Sequence, residues 1–576
     1  MQIEMKKKKR GMLSVALILT IFIITSFSWL NADVYANTEN GPLIIAEVGF
    51  RLSPRDGNFA TWKDTRSKLK MLEELGVNAI FLWAPYECCK ERERYTMQCW
   101  VEEDGKAKRK ELDMANHGWC VPNLYGTDFL NPDPRRGSEE EFEEFINEAH
   151  RLGMKVIGQI VVTGSYPGDF IHEHHPEWLL KTTIDGREYP AVFWPWGPGI
   201  YSWGYVINKA HPGLIKYITE TLMPHWIEKW DFDGIFLDSP GLIYCPTRAK
   251  ELCENPARGA EYYTPVEGEY TPDALCRAMR DKIEELEKKL GRDLIFCGES
   301  TIRGMADLPD DIIKRLCAGR TLGAIYNLPV DRSLGKYFDF VWDYRLADLM
   351  MLIAERQPVF STSQGYVAEI IKGQTQGEGK STRLARFVNM VNTLHRERHW
   401  PVLRPKWVGC FVTLNVTAPG NIIWIGHRLW DAEYRKELCS YFLDKYGVDY
   451  TPSDMEEKCK SEVLNPEVAR GWYKRTIKIK REHPALQSEN IEDALVEPEV
   501  PGLIAYNRWS DDGKDAVTVV VNTTEADITC LLKTRFEGET VLCDLLSGKR
   551  IEGNPSNLRM SVPAYSSVIL CTGGQK

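Results

Sequence analysis

Eight short apolar segments recur between residues 43 and 426, and amphipathic segments with helical spacing separate several of them. Each apolar segment has the length and composition of a buried strand. Parallel strands joined by helices require a layered α/β architecture, and eight such units predict a (β/α)8 TIM barrel. The predicted strands are Leu43–Gly49, Val77–Trp83, Lys155–Val162, Phe232–Asp238, Asp293–Glu299, Phe338–Trp342, Leu384–Asn392 and Asn421–Gly426.

One connecting helix has sequence signals at both of its ends. Ser138 followed by Glu141 is a capping box, and Phe142 begins an apolar stripe at helical spacing that ends at Gly153. A doubly wound open sheet would use the same alternation of strands and helices. No G-x-G-x-x-G motif follows the first predicted strand, which disfavours that competing fold.

The pattern changes after about residue 492, where short alternating runs replace the strand–helix alternation. Examples are Leu503–Trp509, Ala516–Val521 and Ile528–Leu532, and the intervening Ser510–Gly513 is a turn signal. This pattern predicts a separate all-β sandwich. We therefore expect a barrel over residues 42–490, with long loops at 84–137 and 163–210, and a C-terminal sandwich over residues 495–573.

The N-terminal 36 residues have the order of a secretory signal peptide. Five basic residues at Lys6–Arg10 precede the uncharged, largely apolar Gly11–Leu30, and Val34 and Ala36 are small residues at a possible cleavage site. The alternative is an uncleaved membrane anchor, because twenty mostly apolar residues can span a bilayer. Either interpretation predicts an exported protein, secreted, extracellular or at the cell surface.

Composition restricts the possible partners of the chain. Hydrophobic residues make up 43% and charged residues 27%, which are ordinary values for a globular protein. The formal net charge of −10 offers no overall attraction to nucleic acid or to anionic lipid. We therefore expect no nucleic-acid partner, and a membrane association only if the N-terminal segment stays uncleaved.

The fifteen cysteines leave two interpretations open. Cys88, Cys89, Cys99 and Cys120 lie close together in the sequence and would form loop disulfides in an exported chain. A zinc site is the alternative, but a C-x₂-C spacing is absent from this cluster. Disulfides are the favoured interpretation.

Two carboxylates end consecutive predicted strands. Asp238 ends the fourth strand and Glu299 ends the fifth. Catalytic groups of a TIM barrel lie at the carboxyl ends of its strands, so these side chains are expected to converge. A retaining glycosidase needs two carboxyl groups about 5–5.5 Å apart, one as nucleophile and one as general acid/base. A turn cap at Asp238 and a loop ion pair at Glu299 would be the structural alternative.

Further segments occur in a recognisable order over the whole chain. They are Leu75–Pro85, Tyr125–Phe129, Asp133–Gly137, Ile207–Pro212, Asp233–Asp238, Phe296–Glu299, Arg481–Leu486, Asp544–Gly548 and Val562–Tyr565. In this order they resemble the α-amylase superfamily, glycoside hydrolase family 13 in particular, from about residue 43 to residue 572. The resemblance implies a barrel with a C-terminal β-sandwich, Asp238 as nucleophile and Glu299 as acid/base.

Several positions depart from the pattern of that family. The family's Arg two residues before the nucleophile is Phe236, and its third carboxylate is replaced by Asn392. Gln159, Thr163 and Gly164 stand where the family has polar residues around the end of the third strand. Because Thr163 replaces a calcium-binding Asn, the resemblance does not support the usual calcium site, and we expect no cofactor and no bound metal.

The resemblance and the loop composition together suggest substrate-binding residues. Tyr86 follows the second strand and is expected to form the floor of a sugar subsite, while Trp194 lies in an aromatic-rich loop after the third strand. A locally packed aromatic cluster is the alternative for that loop. The predicted substrate-binding residues are Tyr86, Tyr125, Gln159, Trp194 and Phe236.

These observations predict an exported glycoside hydrolase or transglycosidase that acts on α-glucosidic linkages by a retaining mechanism. Its partner would be a carbohydrate substrate. The replaced Arg and the replaced third carboxylate at Asn392 favour an alternative, in which the barrel has lost catalysis and binds a carbohydrate or a protein partner.

Overall fold

The computed structural model describes most of the chain between Gly41 and Thr572. The described residues are 41–48, 61–89, 96–114, 126–162, 164–192, 201–202, 204–238, 240, 273–298, 337–343, 346, 383–388, 407–424, 466–538 and 541–572. Residues 43–576 form one compact unit. The predicted signal segment 1–36 lies outside the described residues.

Eight parallel strands form one sheet in which each strand pairs with the next along the chain. The last strand pairs with the first, at Ile422 and Ile44, so the sheet closes into a barrel. The strands are β1 Ile44–Val48, β2 Ala79–Leu82, β3 Lys155–Ile160, β4 Gly234–Leu237, β5 Ile295–Gly298, β6 Phe340–Asp343, β7 Arg383–Val388 and β8 Asn421–Trp424.

Helices lie between several of these strands and after the last one. They are α1 Trp62–Glu74, α2 Glu139–Arg151, α3 Phe170–His174, α4 Pro212–Tyr217, α5 Asp273–Leu290, α6 Val408–Thr417, α7 Pro466–Glu482 and α8 Pro484–Gln487. Two π-helical segments, Ile218–Leu222 and His225–Lys229, follow α4. Helices α1 and α2 precede β2 and β3, as the strand–helix alternation predicts.

Helix α2 begins at the capping box that the sequence indicates. The Ser138 hydroxyl accepts a hydrogen bond from the backbone N–H of Glu141, and the Glu141 carboxylate accepts one from the backbone N–H of Ser138. The side chains of Phe142, Phe145, Ile146 and Ala149 in its apolar stripe are buried. Gly153 follows with φ +74°, a left-handed conformation that terminates the helix at low cost because glycine has no Cβ.

The interior of the barrel is filled by side chains from alternate positions along each strand. Phe81 of β2 and Phe236 of β4 meet edge to face with ring centroids 4.8 Å apart. These two strands are not neighbours, since β3 lies between them. The contact therefore crosses the interior, and the residues that share the face of Phe81 and Phe236 point into the barrel.

The long loops after β2 and β3 carry small sheets of their own. After β2, Tyr86–Cys88 pairs with Gly126–Pro132, and Thr96–Glu103 forms a hairpin with Lys106–Met114. After β3, Lys181–Ile184 forms a hairpin with Arg187–Pro190. The exposed Trp100 of one hairpin contacts Tyr189 of the other, with ring centroids 5.2 Å apart, so the two loops touch.

The C-terminal domain consists of two antiparallel sheets around their own apolar core. The strands are β9 Ile491–Asp493, β10 Val496–Glu497, β11 Leu503–Trp509, β12 Ala516–Asn522, β13 Ile528–Leu532, β14 Val541–Asp544, β15 Arg550–Glu552, β16 Leu558–Val562 and β17 Ser566–Thr572. One sheet has the strand order β9-β11-β12-β17-β14-β15 and the other β10-β13-β16.

A buried arginine joins the barrel to the C-terminal domain. Arg508 of β11 is fully buried, and its guanidinium donates hydrogen bonds to the backbone carbonyls of Thr417, Ser488 and Asn490. Thr417 is the last residue of α6, so the Arg508 side chain connects β11 with the end of α6 and with residues 488–490. Buried guanidinium groups are stable only when their donors are satisfied in this way.

The parallel sheet with its helices and the C-terminal sheet-rich region confirm those parts of the sequence prediction. The first strand of the C-terminal sheets begins at Ile491, and the predicted domain boundaries stay predictions. Cys99 is a buried thiol that donates towards the Lys110 carbonyl oxygen, so the predicted disulfide is wrong for Cys99. Cys120 lies outside the described residues. Within the described ranges, no helix combines the length and apolar character needed to cross a membrane.

Candidate active site

Asp238 lies directly after the last residue of β4, at the carboxyl end of the barrel. Its backbone N–H donates to the carbonyl oxygen of Ile160, the last residue of β3, at 3.0 Å. Its side chain is half-buried, and its carboxylate accepts a hydrogen bond of 2.7 Å from Nε2 of Gln159. The predicted nucleophile is thus fixed by both backbone and side-chain contacts.

Gln159 connects two of the loops that surround this carboxylate. It is fully buried on β3, and its Oε1 faces the backbone N–H of Ala84, just after β2, at 3.4 Å. Its Nε2 donates to Asp238 after β4. The sequence placed Gln159 among the sugar-binding residues, whereas in the structure its amide holds the candidate nucleophile. Its position is that of a support for Asp238.

Tyr86 lies close to Asp238 but offers no open ring face. Its side chain is fully buried, with the rings of Phe129 at 4.7 Å and Trp226 at 5.8 Å. Burial raises the pKa of the Tyr86 phenol well above its ordinary value, and the charge of nearby Asp238 contributes to that rise. Because neighbouring rings cover it, Tyr86 packs behind the carboxylate instead of forming an exposed floor for a sugar.

Phe236 also belongs to the core. It is fully buried inside the barrel against Phe81. The sequence grouped it with the substrate-binding residues because it stands at a site position of the resembled family. An apolar ring there brings no charge to Asp238, two positions further along the chain. The electrostatic support expected from an arginine is therefore missing at this position.

Four predicted site residues cannot be placed. Glu299, Asn392, Tyr125 and Trp194 lie outside the described residues. Gly298, which precedes Glu299, is the last described residue of β5. The roles assigned to these four residues stay predictions.

Asp169 is a buried carboxylate that the sequence analysis missed. It accepts hydrogen bonds from the Ser165 hydroxyl and from the backbone N–H groups of Tyr166 and His172, and thereby caps α3 in the loop after β3. Burial raises its pKa to about 6, although these three bonds act in the opposite direction. An Asp directly before a short helical segment was the available sequence signal.

Lys209 is a second residue of the site region that the sequence analysis missed. Its side chain is buried, and its Nζ donates a hydrogen bond of 3.0 Å to the carbonyl oxygen of Pro240, two residues after Asp238. It therefore fixes the chain that follows the candidate nucleophile. No local pattern marks it, because the contact spans about thirty residues of sequence.

Glu47 is a further carboxyl group of the barrel that the sequence analysis missed. It lies on β1 and is fully buried. Among the described residues, only the Trp83 indole is placed to hydrogen-bond this carboxyl group. Burial raises the pKa of Glu47 well above its ordinary value, and a hydrogen bond from the Trp83 side chain opposes this rise only in part.

The described residues contain no group of three His, Cys, Asp or Glu side chains placed to hold a metal ion. The expectation that the protein works without a cofactor stays a prediction.

No protein-family profile matches the chain. Curated relatives match only short stretches, and the chain spans less than a fifth of the length of each of them. The periplasmic α-amylase of Escherichia coli, for example, is 27% identical over 145 residues, which is 24% of this chain and 19% of that protein.

Solved structures match over nearly the whole chain. A noncanonic maltogenic α-amylase from Thermotoga neapolitana is 14% identical with a TM-score of 0.57, covering 92% of this chain and 98% of its own. An α-amylase from Geobacillus thermoleovorans, complexed with acarbose, is 15% identical with a TM-score of 0.55, covering 93% and 99%. The chain therefore has the fold of the α-amylases, and the resemblance seen in the sequence is confirmed at that level.

Proposed function

We propose that the protein is a glycoside hydrolase or transglycosidase that acts on α-glucosidic linkages of oligo- or polysaccharides. The observation that carries the proposal is the position of Asp238 at the carboxyl end of β4, held by the buried amide of Gln159, in a barrel with the α-amylase fold. Solved structures of this fold include an α-amylase bound to acarbose and a protein bound to maltose.

The proposed mechanism is retaining and uses two carboxyl groups. The Asp238 carboxylate attacks the anomeric carbon while protonated Glu299 donates its proton to the leaving glycosidic oxygen. The product of this step is a glycosyl ester on Asp238. Ionised Glu299 then removes a proton from water or from an acceptor sugar, whose oxygen attacks the same carbon and releases Asp238.

Isosteric variants of the two carboxyl groups test this mechanism. Asp238→Asn removes the nucleophile, and Glu299→Gln removes the acid, so each is expected to lower turnover of maltooligosaccharides by at least about 1,000-fold. Asp185→Asn is the matched control, because Asp185 is an exposed hairpin-turn residue far along the chain from both. Wild-type turnover in either site variant would refute the assignment.

Trapping the covalent intermediate tests the retaining step separately. An activated fluoro-glucoside should leave a glucosyl group on Asp238, which peptide mass spectrometry would detect as a single modified peptide. Labelling should be lost in Asp238→Asn and kept in Asp185→Asn. A label on a different residue would show that this residue, and not Asp238, is the nucleophile. Inverted stereochemistry of the product would exclude a glycosyl-enzyme intermediate.

A second candidate function is carbohydrate binding without catalysis. The buried Phe236 favours it, because this ring occupies the position where a positive charge would support an ionised Asp238. A catalytically inactive barrel would bind maltooligosaccharides with the same affinity in wild type and in Asp238→Asn. It would also give no covalent label and no hydrolysis over a wide pH range.

We further propose that the protein is exported and works without a cofactor. The basic and apolar order of residues 1–36 supports export. Mass spectrometry of the protein recovered from the producing cells would identify a new N-terminus near residue 37 if the segment is cleaved. Activity that survives extensive dialysis against a chelator would agree with a cofactor-free site, and activity restored only by calcium would overturn it.

A further inference from the structure

Glu47 faces the interior of the barrel. In the register of the sheet its Cα pairs with that of Phe81 on β2, and paired residues of parallel strands point to the same face. Phe81 contacts Phe236 across the interior, so that face is the inner one. Glu47 is thus a carboxyl group inside the barrel, where apolar side chains are the rule.

Glu47 lies level with the residues that support the candidate nucleophile. Glu47 pairs with Phe81 on β2, and Phe81 in turn pairs with Ile157 on β3. In a barrel of this type the strands are tilted, so residues at the same height along the barrel axis shift by about one position from each strand to the next. Because β3 is two strands from β1, the β3 residue at the height of Glu47 is about two positions beyond Ile157, at Gln159. Gln159 donates to Asp238, which stands about one residue higher on β4. Glu47 therefore belongs to the layer directly below the site.

The surroundings of Glu47 favour the protonated acid. Its side chain is fully buried, and loss of hydration raises its pKa; a hydrogen bond from Trp83, and no cation, opposes that rise. An ionised carboxylate without a partner is very costly in such a place, whereas a neutral carboxylic acid is both a donor and an acceptor. The Trp83 indole can only donate, so the O–H of a neutral Glu47 has no acceptor among the described residues. Such a buried donor destabilises the protein unless another molecule accepts its hydrogen bond.

We propose that Glu47 is a third carboxyl group of the pocket, which determines specificity by donating a hydrogen bond to a hydroxyl oxygen of the bound sugar. This inference rests on the proposed function. A carboxylic acid matches a sugar hydroxyl, which both accepts and donates hydrogen bonds. A glucoside that lacks the contacted hydroxyl would leave the buried acid unpaired and would be rejected.

Two substitutions at Glu47 separate this contact from a structural role. Glu47→Leu fills a similar volume without a polar group, so it should raise the Tm while it lowers kcat/KM by about 10- to 100-fold. Glu47→Gln keeps a neutral donor and should retain kcat/KM within about 3-fold. If Glu47→Leu lowered the Tm and left kcat/KM unchanged, Glu47 would be a structural residue and the proposal would fail.

Ile45 provides the matched control on the same strand and the same inner face, two positions below Glu47. Ile45→Val removes one buried methyl group, so it should lower the Tm while kcat/KM stays within about 2-fold. Infrared difference spectra between wild type and Glu47→Gln should show the carbonyl stretch of a protonated acid at neutral pH. Absence of that band would refute the neutral form.

The hydroxyl contact can be assigned with a series of monodeoxy glucosides. In wild type, kcat/KM should be about 10- to 100-fold lower than for the parent glucoside when one particular hydroxyl is missing, and only then. In Glu47→Leu, which already lacks the contact, removal of that same hydroxyl should lower kcat/KM little further. Equal losses in both proteins at every position would exclude the contact. Failure of the proposed function is distinguishable, because wild type would then turn over none of the glucosides while the infrared and Tm results would be unaffected.

Discussion

Removal of the Gln159 amide is the most direct test of how the candidate site is supported. Gln159→Leu keeps the volume of the fully buried side chain and deletes the hydrogen bond of 2.7 Å to Asp238. A hydrogen bond to a charged group contributes about 1.5–3 kcal/mol, which corresponds to a loss of about 10- to 150-fold in kcat/KM. The long contact of 3.4 Å with Ala84 adds little to this loss.

The assay is kcat/KM for maltooligosaccharides as a function of pH. The amide stabilises the ionised form of Asp238, which is the form that the proposed mechanism requires, so the variant should lose activity most on the acidic side. The acidic limb of the profile should therefore move to higher pH by about 1–2 units. Gln159→Glu should move it further, because two carboxyl groups in contact cannot both ionise easily.

Gln98 offers a matched control for this experiment. Its Nε2 also donates a hydrogen bond of 2.7 Å to a carboxylate, that of Glu111, but in an exposed hairpin. Gln98→Leu should leave both kcat/KM and its pH profile unchanged. An unshifted profile and full activity in Gln159→Leu would refute the reasoning that Gln159 supports an ionised nucleophile.

Three further predictions concern stability. The hydrogen bond with Asp233 raises the pKa of His150 despite partial burial, so the stability that His150 contributes is complete below about pH 6.5 and is lost as pH rises through its higher folded-state pKa. The Tm deficit of His150→Gln should accordingly shrink between about pH 6 and pH 9, and a constant deficit would contradict this. Arg508→Met removes the donor from the backbone carbonyls of Thr417, Ser488 and Asn490, and an unsatisfied buried acceptor costs about 1–3 kcal/mol, so the Tm measured by calorimetry should fall; an unchanged Tm would show that these contacts do not stabilise the protein. Gly471→Ala should raise the free energy of unfolding by about 0.5–1 kcal/mol, because glycine is less favourable than alanine inside a helix. Gly471 lies within α7, and a Cβ added there meets no atom within 4 Å. A lower Tm of the variant would refute this prediction.

Local patterns predicted the elements that depend on residues close in sequence. The capping box at Ser138 and the stop at Gly153 define α2 within one residue, since both signals act within a single turn of helix. Strand β11, Leu503–Trp509, has the predicted ends because alternating side chains and the following turn mark them. The position of Asp238 at the end of β4 followed from the same kind of local signal.

The supports of the site depend on contacts that no local pattern encodes. Gln159 reaches Asp238 across 79 residues of sequence, and Lys209 reaches Pro240 across 31. Tyr86 was expected to form the floor of a sugar subsite, but the rings of Phe129 and Trp226 cover it. Burial of a particular side chain is set by neighbours that the fold brings together, so the sequence could identify the residue type and not its surroundings.

The sequence by itself determined the order of strands and helices, the change to an all-β domain and the carboxylate at the end of β4. These features follow from periodicity and capping, which act over a few residues. Only the tertiary structure decided that Gln159 supports Asp238 and that Glu47 points into the barrel. Both depend on closure of the sheet and on its register, because these bring strands far apart in sequence to a common interior.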